Sequence, residues 1–172
     1  MAMIIRKTAL EDLPRVMEIY AGAREFMAAN GNPNQWGPTN WPPEERIRED
    51  IAEGNGYVCE ADGKVVGAFY YIFGDHIDPT YDYIEDGKWK EDTPYGVIHR
   101  LASDRSVPGI GAFCLEWGKA KSGHLRVDTH GDNAPMQNLL GKLGFTHQGT
   151  IYVEEDDYPR LAYEFIGKPS SW

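Results

Sequence analysis

Cysteine is scarce in this chain: Cys59 and Cys114 are the 2 present among 172 residues. Neither belongs to a CxxC pair or a Cys/His spacing, so no zinc site is expected, nor any other metal site. Both stand in apolar contexts, one strand-like and one helix-like, and two buried free thiols are the expectation. No apolar run approaches the about 20 residues that span a bilayer. The opening MAMIIRKTALEDLP turns acidic too soon for a secretory h-region, so a cytoplasmic location is expected. Positive charge is also short, with 17 Lys+Arg against 27 Asp+Glu and a net charge of −10. That balance argues against nucleic acid and anionic membrane, which need a cationic face, while a cationic small molecule is tolerated. Repeats, linkers and low-complexity segments are missing too. At 41% hydrophobic and 12% aromatic residues the chain suits one ordinary core, and residues 1–172 are read as a single domain.

What is present is a clear alternation of periods. Met3–Lys7 reads as a strand. Over 10–29 the residues Leu13, Val16, Met17, Tyr20 and Ala21 recur at helical spacing, with Pro14 tolerated in the first turns. NGNPNQWGPTNWPP, broken by Trp36 and Trp41, is a loop, and 43–51 is a short helix with proline and acids at its start. Strands 57–61 and 64–73 close around Asp62-Gly63, a pair suited to a two-residue turn with positive φ. A polar-aromatic excursion at 74–95 precedes a strand at 96–103, a glycine-bearing loop and a helix to about 121. A strand at 124–129, a helix at 134–143 and a hairpin of 146–153 with 161–166 complete the chain. The order β-α-α-β-β-β-α-β-α-β-β predicts an α/β (mixed α+β) domain. Its mixed central sheet should hold about six to seven strands, with about four helices, and the 96–129 unit should pair its strands in parallel with a right-handed crossover.

The segment SVPGIG, Ser106 to Gly111, places two glycines just ahead of a helix, although glycine in a helix costs about 1 kcal/mol relative to alanine. A helix start offers unpaired N–H groups and about half a positive charge, and glycines let a phosphate approach them. Ser106, Val107, Pro108, Gly109, Ile110, Gly111 and Ala112 are therefore candidates to cradle a diphosphate through amides left unpaired along 106–112. The P-loop sequence GxxxxGK[ST] is absent. A dinucleotide fingerprint GxGxxG would have Cys114 at its third glycine, although Asp128 ends the next strand as a ribose-binding acid would. A plain tight turn is the remaining reading.

A second segment joins the first: Asn133 opens a helix that ends in Leu143-Gly144-Phe145. With Leu101-Ala102-Ser103 ahead of the glycine turn, the pair resembles the GNAT superfamily of acyl-CoA-dependent N-acyltransferases over nearly the whole chain. The family signature [Q/R]xxGx[G/A] is met with serine at its first place, Arg105 one position early, and a loop about two residues shorter than usual. The resemblance implies acetyl-CoA as cosubstrate, with Leu101, Ala102, Ser103, the 106–112 turn and Asn133 binding it. It further implies direct transfer to a primary amine of a small molecule or peptide. Pairing as a homodimer is left open by the sequence. A non-catalytic acyl-CoA sensor and a dinucleotide enzyme are the alternatives.

For the chemistry, His99 is the candidate base, because an imidazole titrates near neutrality and can take a proton from an ammonium. Alternation along a strand would put Val97, His99, Leu101 and Ser103 on one face. A packed, hydrogen-bonded histidine is the competing reading. His130 is a second, weaker candidate. The phenol that often serves as acid in the family is replaced by Leu140, leaving Tyr152 and Tyr163 to be considered. On the acceptor side, Trp36, Tyr81 and Trp89, with Trp41 and Tyr83, are either pocket walls or sheet caps. Asp75, Asp78, Asp82, Glu85 and Asp86 either attract an amine or form a solvated face.

Overall fold

The computed structural model describes residues 2–154 and 156–170. Strands β1 (Met3–Lys7), β2 (Gly56–Ala61), β3 (Lys64–Gly74), β4 (Tyr95–Ser103), β5 (His124–His130), β6 (Thr146–Tyr152) and β7 (Pro159–Ile166) form one sheet in the order β1-β2-β3-β4-β5-β7-β6. Helices α1 (Leu13–Ala29), α2 (Glu44–Glu53), α3 (Ile110–Ser122) and α4 (Ala134–Lys142) cover it. The predicted order of elements holds throughout. Most element ends shift by one or two residues, and the largest difference is at α1, where residues Leu10–Asp12 form a separate 3-10 turn and the helix proper begins with Leu13 and Pro14.

The faces follow from the periodicity. Leu13, Val16, Ile19 and Tyr20 of α1 pack with Ile47 of α2 on one face. Cys114, Leu115 and Trp117 of α3 pack with Leu140 of α4 on the other. Cys59 and Cys114 are free and buried, as expected. The excursion between β3 and β4 folds onto the sheet: Tyr81 and Tyr95 join Val97, Ile151 and Ala162 in a third cluster.

Two irregularities in β4 position the site. The first is a bulge. Tyr70 pairs with His99 but Ala68 pairs with Ala102, so Arg100 and Leu101 together oppose Phe69. Arg100 takes φ +55°, a conformation that costs a non-glycine residue about 1–3 kcal/mol and needs outside support. Support comes from α1 and α2: Tyr20 donates its hydroxyl to the Arg100 carbonyl at 2.7 Å, and the Arg100 guanidinium meets Asp50 at 2.6 Å. The bulge corrects the expectation of one shared face for Val97, His99, Leu101 and Ser103. The alternation changes phase after His99, so Leu101 joins the α3 side with Ile98 while Ala102 packs under α1.

The second irregularity is a splay. β4 and β5 are paired, in parallel, only at Gly96–Leu125 and Val97–Arg126, and beyond that point the strands part. α3 is held close over this region, since a Cβ on Gly118 would lie 2.6 Å from Ile98 Cδ1. Its N-terminus is thereby aimed at the mouth of the gap. Among the described residues, no helix is long and apolar enough to cross a membrane.

Candidate active site

At the start of α3, Gly109 has φ +84°, the left-handed conformation that glycine adopts without strain. Gly111 has no such φ, and a Cβ there would meet Leu139 Cδ2 of α4 at an ordinary contact distance of 3.4 Å. The first bond of the helix runs from the Phe113 amide to the Gly109 carbonyl, 2.9 Å. Among the described residues, the amides of Val107, Gly109, Ile110, Gly111 and Ala112 find no protein acceptor. Ser106 differs from the expectation: its amide is already taken by the Asp104 carboxylate at 2.9 Å, and Asp104 is fixed in turn by Arg15 at 2.6 Å. The free row therefore begins at Val107. A cluster of N–H donors at the positive end of a helix fits the diphosphate of a coenzyme. Val107, Pro108 and Gly109 line its outer rim, whereas the Ile110 side chain is buried in the core.

From this cradle a groove of ≈ 290 Å³ runs between α1, β4 and α4, past Leu101, Ala102, Ser103 and Gly111. Asn133 lies at its floor with both ends of its side chain engaged. The Oδ1 atom caps α4 by accepting the Met136 amide at 3.2 Å, and Nδ2 donates to Gln35 at 3.0 Å. Its bonds thus set α4 and the first loop in place. The groove adjoins a narrow cavity of ≈ 70 Å³ inside the splay, sharing Leu101 and Met136 with it. That cavity in turn shares His99, Arg100 and Val153 with a third, of ≈ 220 Å³, between α2, β3 and residues 77–80.

His99 thus stands where the passage crosses the sheet. Its Nε2 meets Asp78 Oδ2 at 2.5 Å, and its Nδ1 lies 3.6 Å from Asp128 Oδ2. Burial alone would push the imidazole down. The Asp78 bond and the Asp128 charge outweigh it and raise His99 above the ordinary histidine value. Asp78 itself is held below the usual carboxylate range: burial opposes this, but the His99 and Thr80 hydrogen bonds prevail. Tyr81 donates its hydroxyl to Asp128 at 2.7 Å, and Trp89 Nε1 donates to the Tyr81 carbonyl at 2.7 Å. Burial first, and Asp128 second, keep the Tyr81 phenol well above its ordinary value, so it stays a donor.

The other sequence candidates separate cleanly. Trp36 lines the splay cavity and packs edge-on against Tyr20. Trp89 stacks under Arg126, 4.2 Å from the guanidinium carbon, and does not line the three cavities. His130 is buried with Nδ1 accepting the Asp132 amide at 3.0 Å, and burial and Arg160 lower its pKa. Tyr152 points out to Glu85, and Tyr163 rests against His147. Of the five acids named in the excursion, Asp78 alone is within bonding distance of His99. Asp75 and Asp82 surround the exposed His76, and Glu85 binds Tyr83.

No protein-family model matches the chain, and no curated protein matches it in sequence. Solved structures do. An acetyltransferase of the GNAT family from Streptococcus agalactiae is 31% identical, with a TM-score of 0.86 over 96% of each chain. The chain belongs to the GNAT family of acetyltransferases. Two more distant structures share the fold. A GNAT-family acetyltransferase from Bacillus cereus is 15% identical, covering 98% of this chain and 99% of its own, with a TM-score of 0.62. The PaiA N-acetyltransferase of Thermoplasma acidophilum, solved in complex with coenzyme A, is 18% identical over 96% of this chain and 99% of its own, with a TM-score of 0.65. The protein is an acyltransferase. A GNAT sheet also removes the dinucleotide alternative, for of its strand pairs only β4–β5 is parallel, whereas a dinucleotide fold continues in parallel units. Asp128 faces His99, 3.6 Å from its Nδ1, and accepts the Tyr81 hydroxyl.

Proposed function

We propose that this GNAT enzyme transfers an acetyl group from acetyl-CoA to a primary amine, and that the free amides of Val107 and 109–112, opening on the splay that ends at His99, carry the reading. The amides would hold the diphosphate. The unpaired edge of β4 beyond Val97 would bond the arm that leads from it, with Leu101, Ala102 and Ser103 as its wall. The bound thioester supplies the activated acetyl group. His99, neutral, takes a proton from the ammonium, so the nitrogen lone pair can attack; this is general-base work, typically a 10²–10⁴-fold contribution. Backbone N–H groups in the gap would favour the developing oxyanion, whose collapse breaks the C–S bond and expels the coenzyme A thiolate, and the proton lost by the new amide nitrogen balances the one the thiolate gains.

The acceptor would enter from the third cavity, on the side of the sheet away from the cradle. A sensor that binds acyl-CoA without turnover is favoured by one observation, the buried Leu140 in place of a phenol. Two measurements separate the readings. Calorimetry with acetyl-CoA should show binding; its absence refutes both. Release of free thiol with a panel of primary amines should then distinguish enzyme from sensor, and a panel without turnover would leave the sensor standing.

A further inference from the structure

Building on the acetyltransferase reading, we propose that Asp78 receives the acceptor's ammonium group in exchange for His99, and that the acceptor is a cationic amine bearing no carboxylate. Asp78 is built for an exchange. Its Oδ1 is tethered by the Thr80 amide at 3.0 Å and the Thr80 hydroxyl at 2.7 Å, while Oδ2 holds only His99. The carboxylate therefore keeps its orientation when the partner on Oδ2 changes. It lines the third cavity beside Trp41 and Tyr70, so an incoming amine meets Asp78 at the place where it meets His99.

The charges of that cavity favour the same occupant. Arg100 is matched by Asp50 at 2.6 Å, and Arg46 by Glu49 at 3.2 Å. Glu53, with only a 3.5 Å contact from Asn55, and Glu154, which is exposed, stand at the cavity with no cation paired to them among the described residues. An ammonium finds carboxylates at the rim and at the floor; a substrate carboxylate would meet repulsion at both.

The exchange also prepares the base. The groups facing the His99 ring are Asp78 on Nε2, Asp128 near Nδ1, Arg100 next along β4, the Tyr70 ring stacked at 6.0 Å and the Tyr81 ring edge-on at 5.7 Å. Without amine, two carboxylates favour the imidazolium, whose Nε2–H points at Asp78 and cannot accept a proton. When an ammonium occupies Oδ2, His99 loses that partner and gains a like charge nearby, so its Nε2 proton leaves to solvent through the cavity. Nε2 is then free to take the next proton from the bound ammonium.

The test is calorimetry of butylamine with the coenzyme A-loaded protein near pH 7, in two buffers of different ionisation enthalpy. Wild type should release a proton on binding. Asp78→Asn should release none and bind butylamine roughly tenfold or more weakly, as expected for a lost charged hydrogen bond. Against wild type, 4-aminobutyrate should bind roughly tenfold more weakly than butylamine. Unchanged proton release in Asp78→Asn, or equal binding of the two ligands by wild type, overturns the proposal. The second comparison needs no variant, so misfolding of Asp78→Asn would not shield it. Failure to bind acetyl-CoA would instead count against the acetyltransferase reading itself.

Discussion

The two ends of the passage are made from different parts of the chain. The cradle at 107–112 is built from main chain: a glycine in the left-handed region, a second glycine against Leu139, and a row of amides without acceptors. The His99 end is built from side chains delivered by three separate segments, Asp78 from the excursion, Asp128 from β5 and Arg100 from the bulge. A site made of backbone tolerates many side chains but favours glycine where the chain turns left-handed, as at Gly109, and it leaves a spacing in the sequence. A site made of carboxylates and an imidazole leaves no spacing at all, because its members meet only after folding.

The sharpest way to break this contrast is Gly111→Glu. It adds a side chain against α4 and a negative charge among the donors. Acetyl-CoA affinity by calorimetry should fall by about two orders of magnitude or more, because several charge-assisted bonds of about 1.5–3 kcal/mol each are lost together. The amine end should be untouched, with butylamine binding retained in the free protein. If CoA affinity survives, the cradle lies elsewhere.

At the other end the complementary change is His99→Gln, which should lower kcat by about 10²–10⁴-fold while leaving acetyl-CoA affinity unchanged. A loss of affinity instead would make His99 part of the cofactor groove. Asp128→Asn probes the same ring from its second nitrogen and should act more gently, about fivefold on kcat, the scale of a charge contact of about 1 kcal/mol across 3.6 Å. Its diagnostic is the pH profile. Asp128 helps raise His99. Removing its charge should therefore move the rising limb of kcat/KM to lower pH, because the base deprotonates earlier. A profile that keeps its position would make Asp128 a packing residue.

How much was legible follows the same division. Period and turn chemistry located the strands and helices, and the glycine turn and the Asn133 helix, singled out in the sequence, meet along one groove. The bulge was not legible. Arg100 is a non-glycine residue at positive φ, and the Tyr20 and Asp50 contacts that hold it there come from elements 50 or more positions away. Strict alternation accordingly misplaced Leu101. Ser106 was misjudged for a nearer reason: an Asp two residues earlier commonly bonds the backbone ahead of it, and Asp104 does so here. Among the five acids singled out in the excursion the sequence offered no ranking. Asp78 is singled out by its Thr80 tether and by the fold of 77–81 onto β4, both tertiary facts.

The gentlest probe of the contrast is thermal stability against pH, because the side-chain end holds a histidine–carboxylate pair and the cradle does not. His99 has a raised folded value, so its contribution is fully present below the unfolded histidine value, about 6.5, and fades as pH climbs through the folded value. Asp78 has a lowered folded value, so its contribution is present above the unfolded value of about 3.9 and fades as pH falls through the folded one. The pair should therefore stabilise the protein most between about pH 4 and 6.5. His99→Gln should lose a Tm increment on the order of 3 °C there relative to wild type, with the gap closing toward pH 9. Gly111→Glu adds a carboxylate with no titrating partner near neutrality, so its Tm difference from wild type should stay flat over the same range. A His99→Gln gap equally flat with pH would mean that the imidazole is neutral in the folded protein, and the Asp78 contact would then be an ordinary hydrogen bond and not an ion pair.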